Sequence, residues 1–145
     1  MKPTPLQAWV LAARPQTLTI SVAPVLLGAA LASDVGTLSV RVLIAAMLGA
    51  ICIQIGTNLY NDYADFSKGA DGPDRLGPPR ACANGWLPPR QVLAAVVFTF
   101  AIAMAAGVYL AAVAGWPVVV IGLASLACGI AYTGGPWPLA YLGIA

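Results

Sequence analysis

Four long stretches of this chain are almost wholly apolar, and the segments between them are short or charged. They run 15–32, 42–60, 92–114 and 116–132, from Pro15 to Ala32, Val42 to Tyr60, Val92 to Ala114 and Trp116 to Tyr132. A membrane-spanning helix needs about 20 apolar residues, so each stretch predicts one span, and the four together use about 80 residues. The second stretch, at 1.5 Å per residue, reaches about 28 Å, which matches the hydrocarbon thickness and puts its C-terminal end at the interface. After Tyr132 the run Gly134-Gly135-Pro136-Trp137-Pro138 breaks the helix. The apolar tail from Leu139 to Ala145 is too short to span and reads like the opening of a fifth helix. The expected fold is all-α: a polytopic transmembrane helix bundle, with about four helices present, as one membrane domain over 1–145. It is expected to be the first half of a larger bundle, with a charged loop over 61–90.

Composition removes whole classes of function. Of the 145 residues 60% are hydrophobic and 8% charged, against about a quarter charged in a soluble domain. Such a chain cannot cover a water-facing surface. There is no His and no Glu; all five acids are Asp. A Ser-His-Asp or Cys-His triad and a His-ligated zinc site are therefore excluded. The net charge of +2, with no basic run, gives no reason to expect nucleic acid as a partner. Cys52, Cys82 and Cys128 lack C-x-x-C spacing, which speaks against a redox or metal role.

Basic residues set the orientation. If four helices cross, Lys2, Arg14, Lys68, Arg75, Arg80 and Arg90 share one side and Arg41 stands on the other. The richer side, with the N-terminus and the loop 61–90, is expected in the cytoplasm, and the protein in the cell inner (plasma) membrane. Trp9, Trp86, Trp116 and Trp137 fall near predicted helix ends, as in an aromatic belt. The N-terminal run also resembles a cleavable signal peptide, but it carries Pro24 and Gly28 after a long charged region. It is read as a helix.

The remaining charge is concentrated. Seven of the twelve charged residues lie between Asp62 and Arg80, directly after the second stretch. On a helical wheel with Asn58 at zero, Asn61 falls near about −60°, Asp62 about +40° and Asp65 about −20°. If the helix continues through them, all four share one face. Two amides and two carboxylates are hard oxygen donors, the set that suits Mg²⁺, which takes one or two carboxylates and leaves other positions to water and phosphate. Gly69 and Gly72-Pro73 are placed to end the helix and turn the chain back, bringing Asp71 and Asp74 towards the first pair. Lys68, Arg75 and Arg80 supply phosphate-binding donors. Metal, carboxylates and guanidinium together describe a diphosphate site.

Other readings of the same residues weigh less. A solvated Asp/Arg loop needs neither helical spacing nor a polar Asn58 inside an apolar span. An EF-hand requires a Glu that the chain lacks. A CDP-alcohol phosphotransferase motif begins D-x-x-D-G, whereas Asp65 is followed by Phe66-Ser67. A cation transporter subunit needs acids on several helices, and a non-catalytic membrane scaffold needs no ordered N-x-x-N-D-x-x-D face.

The Gly56 to Arg80 stretch resembles the first aspartate-rich motif of the UbiA-type intramembrane prenyltransferases. So do W-V-L-A-A-R-P-Q-T-L (Trp9 to Leu18), A-P-V-L-L-G (Ala23 to Gly28) and Y-T-G-G-P-W-P-L-A-Y-L-G (Tyr132 to Gly143). R-L-G-P-P-R and Y-T-G-G-P are most like the branch that prenylates 1,4-dihydroxy-2-naphthoate in menaquinone biosynthesis. The resemblance implies an enzyme that binds polyprenyl diphosphate through Mg²⁺, releases diphosphate and joins the allylic cation to an aromatic ring. In that branch the ring loses CO₂ and demethylmenaquinone forms. It assigns Asn58, Asp62 and Asp65 to the metal, with Asn61 nearby. It assigns Lys68, Arg75 and Arg80 to the leaving diphosphate, and Asp71 to the metal or the aromatic acid. Tyr60, Tyr63 and Tyr132 are candidates for lining the cation's path, or else belt residues. Ala46, Gly49, Gly107 and Gly122 are expected to pack helices, and Thr17, Thr19 and Ser21 to make interhelical hydrogen bonds. Other branches of the family use 4-hydroxybenzoate or homogentisate.

The family also uses a second aspartate-rich motif, and no acid follows Asp74 here. A missing C-terminal half or a partner chain is expected to supply it, and the 145-residue piece is expected to be inactive alone.

Overall fold

The computed structural model describes residues 2–69, 78–134 and 138–141. The predicted Asp71, Gly72-Pro73, Asp74, Arg75 and Trp137 lie outside them. Among the described residues all regular structure is helical, with five α-helices and two short 3₁₀ turns.

A helix that the long apolar runs do not announce opens the chain: α1, Pro5–Ala13. Thr4 and Gln7 form a reciprocal capping box, the Gln7 N–H donating to Thr4 Oγ1 at 3.3 Å and the Thr4 N–H to Gln7 Oε1 at 2.9 Å. Pro5 sits at the first helical position, where its missing N–H costs nothing. Arg14 then takes the left-handed conformation, φ 53°, and a 3₁₀ turn at Pro15–Thr17 bends the chain into α2, Leu18–Asp34. Pro24 lies inside α2 without ending it.

Helix α3 spans Val40–Ser67, 28 residues, or about 42 Å at the usual rise. It overruns the sequence boundary at Tyr60 by two turns, because its backbone hydrogen bonding continues where its hydropathy falls. It ends where Gly69 turns left-handed, φ 65°, as a glycine at that position favours. Helices α4, Pro89–Ala114, and α5, Trp116–Thr133, follow, hinged at Gly115. Four segments are long and apolar enough to cross a membrane: Pro5–Asp34, Val40–Lys68, Pro89–Ala114 and Trp116–Thr133.

Side-chain pairings fix how these helices run. Ser21 meets Gln54 and Thr17 meets Asn58, so α2 and α3 are antiparallel. Gly49 faces Ala106 and Gly56 faces Phe100, so α3 and α4 are antiparallel. Gly129 faces Thr57 and Thr133 meets Asn61, so α5 runs parallel to α3. Lys2, Arg14, Lys68, Arg80 and Arg90 therefore share one end of the bundle, and Arg41 with Asp34 stands at the other. Only Thr133 of α5 and no residue of α2 is buried, so both present apolar faces outward, as lipid-facing helices do.

The interior is concentrated at the charged end. Ala8, Ala12, Leu59, Ala81, Cys82, Leu87, Val92 and Val96 form one buried cluster, with Trp9, Tyr60, Tyr63 and Trp86 packed against it. The small-residue expectation divides. Gly49 touches Ala106, but a side chain at Gly107 or Gly122 would meet nothing within 4 Å. Both instead line a cavity of about 550 Å³ between α2, α3, α4 and α5.

Candidate functional site

Asn58, Asn61, Asp62 and Asp65 are all buried on one face of α3, with Asp62 only 2% exposed. Four polar side chains stripped of water need partners, and each has them. The Asp62 carboxylate accepts from two successive backbone N–H groups, Ala81 at 2.8 Å and Cys82 at 3.0 Å. Those amides open a single helical turn closed by a Schellman arrangement, with Trp86 N–H on Ala81 C=O, Gly85 N–H on Cys82 C=O, and Gly85 left-handed at φ 65°. Asp62 thus anchors the segment that leads into α4. Asp65 forms a buried ion pair with Arg80, hydrogen-bonded from Nη2 to Oδ2.

The other two reach neighbouring helices. Thr133 Oγ1 donates to Asn61 Oδ1 at 2.6 Å, and Lys68 Nζ donates to the Thr133 carbonyl at 2.6 Å. The last turn of α5 is thereby tied twice to the polar end of α3, and the ammonium sits where a helix C-terminus favours positive charge. Asn58 Nδ2 donates to the Ala13 carbonyl at 2.9 Å and to Thr17 Oγ1 at 2.8 Å. Gln54, one turn back, accepts from Ser21 Oγ at 2.9 Å and reaches Thr17 Oγ1 at 3.3 Å. Thr17 and Ser21 make the expected interhelical bonds, whereas Thr19 bonds locally to the Gln16 carbonyl.

The predicted residues are thus partly gathered. Asn58, Asn61, Asp62, Asp65, Lys68 and Arg80 converge on one end of the bundle. Arg80 is turned onto Asp65 within the protein rather than held out towards solvent. Tyr132 is exposed on α5, and its neighbour Thr133 makes the contacts to α3. Arg75 and Asp71 lie outside the described residues. Thr133, Gln54 and Ala13 are participants that no motif marks: Thr133 and Ala13 join from α5 and α1, and Gln54 lies on α3 inside the apolar span, one turn before Asn58.

No group of three or more His, Cys, Asp or Glu comes together among the described residues. The donor set nevertheless fits Mg²⁺: two carboxylates and two amide oxygens on one face, all hard ligands, meet an ion that binds through one or two carboxylates. Each carboxylate oxygen has more than one lone pair, so the bonds Asp62 makes to backbone amides leave it able to ligate.

The description "UbiA prenyltransferase family" belongs to the family model that matches residues 21–145. The chain belongs to the UbiA prenyltransferase family. It is 39% identical over 128 residues to 1,4-dihydroxy-2-naphthoate octaprenyltransferase of Bacillus subtilis, covering 88% of this chain and 41% of that protein. The Escherichia coli protein of the same name is 35% identical over 144 residues, 95% of this chain and 47% of that one. UbiA prenyltransferase domain-containing protein 1 of Gallus gallus is 36% identical over 105 residues, 70% of this chain and 31% of that protein. The chain spans less than half the length of these curated relatives. No solved structure matches it. As a UbiA family chain with four helices long enough to cross the bilayer, it is a multi-pass membrane protein.

Proposed function

We propose that this chain carries the metal- and diphosphate-binding part of an aromatic prenyltransferase of menaquinone biosynthesis. The reaction moves a polyprenyl group from polyprenyl diphosphate to 1,4-dihydroxy-2-naphthoate: the allylic C–O bond breaks, diphosphate leaves, a ring C–C bond forms, and the ring carboxylate departs as CO₂. The observation that carries this reading is the buried face of Asn58, Asn61, Asp62 and Asp65 at the end of the bundle that also holds Lys68 and Arg80. The names of the Bacillus subtilis and Escherichia coli relatives supply the acceptor.

In this reading Asn58, Asp62 and Asp65 hold Mg²⁺, with Asn61 beside them. The ion, when bound, neutralises charge developing on the leaving diphosphate. Lys68 and Arg75 bind the diphosphate, since fixed positive charge favours the separated ion pair. Arg80 aligns Asp65 through their ion pair and adds its charge to the same end. Asp71 assists the metal or the aromatic acid. Tyr60, Tyr63 and Tyr132 offer aromatic faces to the cation. The cavity of about 550 Å³ begins at Gln54 and Ser21, beside Asn58, and continues along Gly49, Gly107 and Gly122, an apolar path suited to prenyl units. In this reading the protein sits in the plasma membrane with its basic end facing the cytoplasm, an orientation that the excess of Lys and Arg at that end supports.

The test is prenyl transfer in membranes expressing the complete protein, with 1,4-dihydroxy-2-naphthoate, 4-hydroxybenzoate and homogentisate offered separately. Asp62→Asn is expected to lower the rate by about a hundredfold or more, the scale of a damaged metal site. Undiminished transfer by that variant would sink the metal assignment. Preference for another ring would move the enzyme to a different branch.

A further inference from the structure

The break between α1 and α2 delivers two acceptors to one side chain. α1 stops at Ala13 because Arg14 turns left-handed and Pro15 has no N–H to offer. The amide that would continue the helix onto the Ala13 carbonyl, Thr17 N–H, bonds instead to the Arg14 carbonyl at 2.9 Å. The Ala13 carbonyl is thus one of the orphans of a helix C-terminus, and Asn58 Nδ2 satisfies it at 2.9 Å. Thr17 Oγ1 spends its own proton on the Arg14 carbonyl at 2.9 Å. A hydroxyl has one proton, so towards Asn58 and Gln54 it acts only as an acceptor.

These two acceptors decide which way the Asn58 amide faces. An amide is nearly symmetric in shape, and only its hydrogen bonds separate oxygen from nitrogen. Both neighbours on the elbow side demand N–H, so nitrogen is held there and Oδ1 is held on the opposite edge. Oδ1 has one long contact, from Gln54 Nε2 at 3.5 Å, and keeps its acceptor capacity. A hard cation binds the oxygen of an amide and is repelled by its NH₂ group. The wrong flip would set the NH₂ group, in place of Oδ1, on the edge turned away from the elbow.

We infer that the elbow is a positioning device for a divalent-cation site, with Thr17 as its principal residue and Gln54 as its support. Thr17 touches no ligand; it acts by presenting Asn58 oxygen-first. This rests on the reading of Asn58 and Asp62 as cation ligands, and the experiment separates the two.

The measurement is Mn²⁺ binding to the detergent-solubilised protein by electron paramagnetic resonance, Mn²⁺ sharing the preference of Mg²⁺ for oxygen ligands. Thr17→Val keeps the shape of the side chain and removes the acceptor. It is expected to weaken binding about tenfold or more, the usual effect of losing a group that orients a ligand. Thr17→Ser, which keeps the hydroxyl, restores binding. In an Asn58→Ala background Thr17→Val has no further effect on Mn²⁺, although any loss of thermal stability persists. Thr17→Ala replaces the valine variant if that one does not fold. If Asp62→Asn abolishes binding while Thr17→Val and Thr17→Ala bind as the wild type does, the elbow inference is overturned and the metal reading stands. If the wild type binds no Mn²⁺, or Asp62→Asn binds equally well, the metal reading falls and the elbow inference with it.

Discussion

Buried charge raises the most specific questions at single residues. Asp65 and Arg80 have side chains only 7% exposed and face each other directly. Taking an ion pair out of water costs as much as it returns, but removing one member is far worse. Asp65→Leu is therefore expected to destabilise the solubilised protein by about 3 kcal/mol, and Arg80→Met by a similar amount. The double variant should recover much of that loss, and thermal unfolding of all four proteins measures the coupling. Additive losses would show that the two charges are stabilised independently. Asn58, Asn61, Asp62 and Asp65 are legible in the sequence because helical spacing alone puts them on one face. Their partners are not. Thr133 lies 72 positions from Asn61, and the Ala13 carbonyl is a backbone atom whose availability depends on where α1 stops. Arg80 is legible as a cation, while its pairing with Asp65, 15 positions away, is not.

At the scale of elements, close approach of helices turns on which glycines face a neighbour. A side chain added at Gly56 would run into the Phe100 ring and come within 2.8 Å of Thr99 Oγ1, while at Gly107 it meets nothing within 4 Å. Gly56→Ala is therefore expected to cost about 1–3 kcal/mol by overpacking the α3–α4 seam. Gly107→Ala is expected to be neutral or slightly stabilising, since Ala is the better helix former. Paired melts of the two variants check this, and equal melting would mean α3 and α4 shift apart freely. The sequence could not rank these glycines, because the same residue type lines a seam at one position and a cavity at another. It placed the end of the apolar span at Tyr60, where hydropathy falls, while the helix itself runs on to Ser67. The end near Gly69 was legible from glycine itself, whereas α1 was missed, because its Thr4–Gln7 capping box stands outside the long apolar runs.

Across the whole molecule, the helix directions turn a charge count into a geometric statement. α2 and α3 are antiparallel and α5 runs parallel to α3, so the N-terminal elbow, the polar end of α3 and the end of α5 meet at one face of the membrane. The turn at Gly36, Thr37 and Leu38 and the hinge at Gly115 lie at the other. Five described Lys and Arg residues occupy the first end, Lys2, Arg14, Lys68, Arg80 and Arg90, and Arg41 the second. Such an imbalance across short loops orients a bundle with its basic end in the cytoplasm. Thr37 and Asn84 are exposed at opposite ends and offer a direct check. In a background with Cys52, Cys82 and Cys128 replaced by Ala, a membrane-impermeant thiol reagent added to intact cells should label Thr37→Cys and spare Asn84→Cys. Inverted vesicles should show the reverse. Opposite labelling would overturn the orientation while keeping the topology. Labelling of both positions from one side would contradict an α3 that crosses the membrane between them, and with it the separation of the Thr37 turn from the polar end that holds Asn58, Asp62 and Lys68.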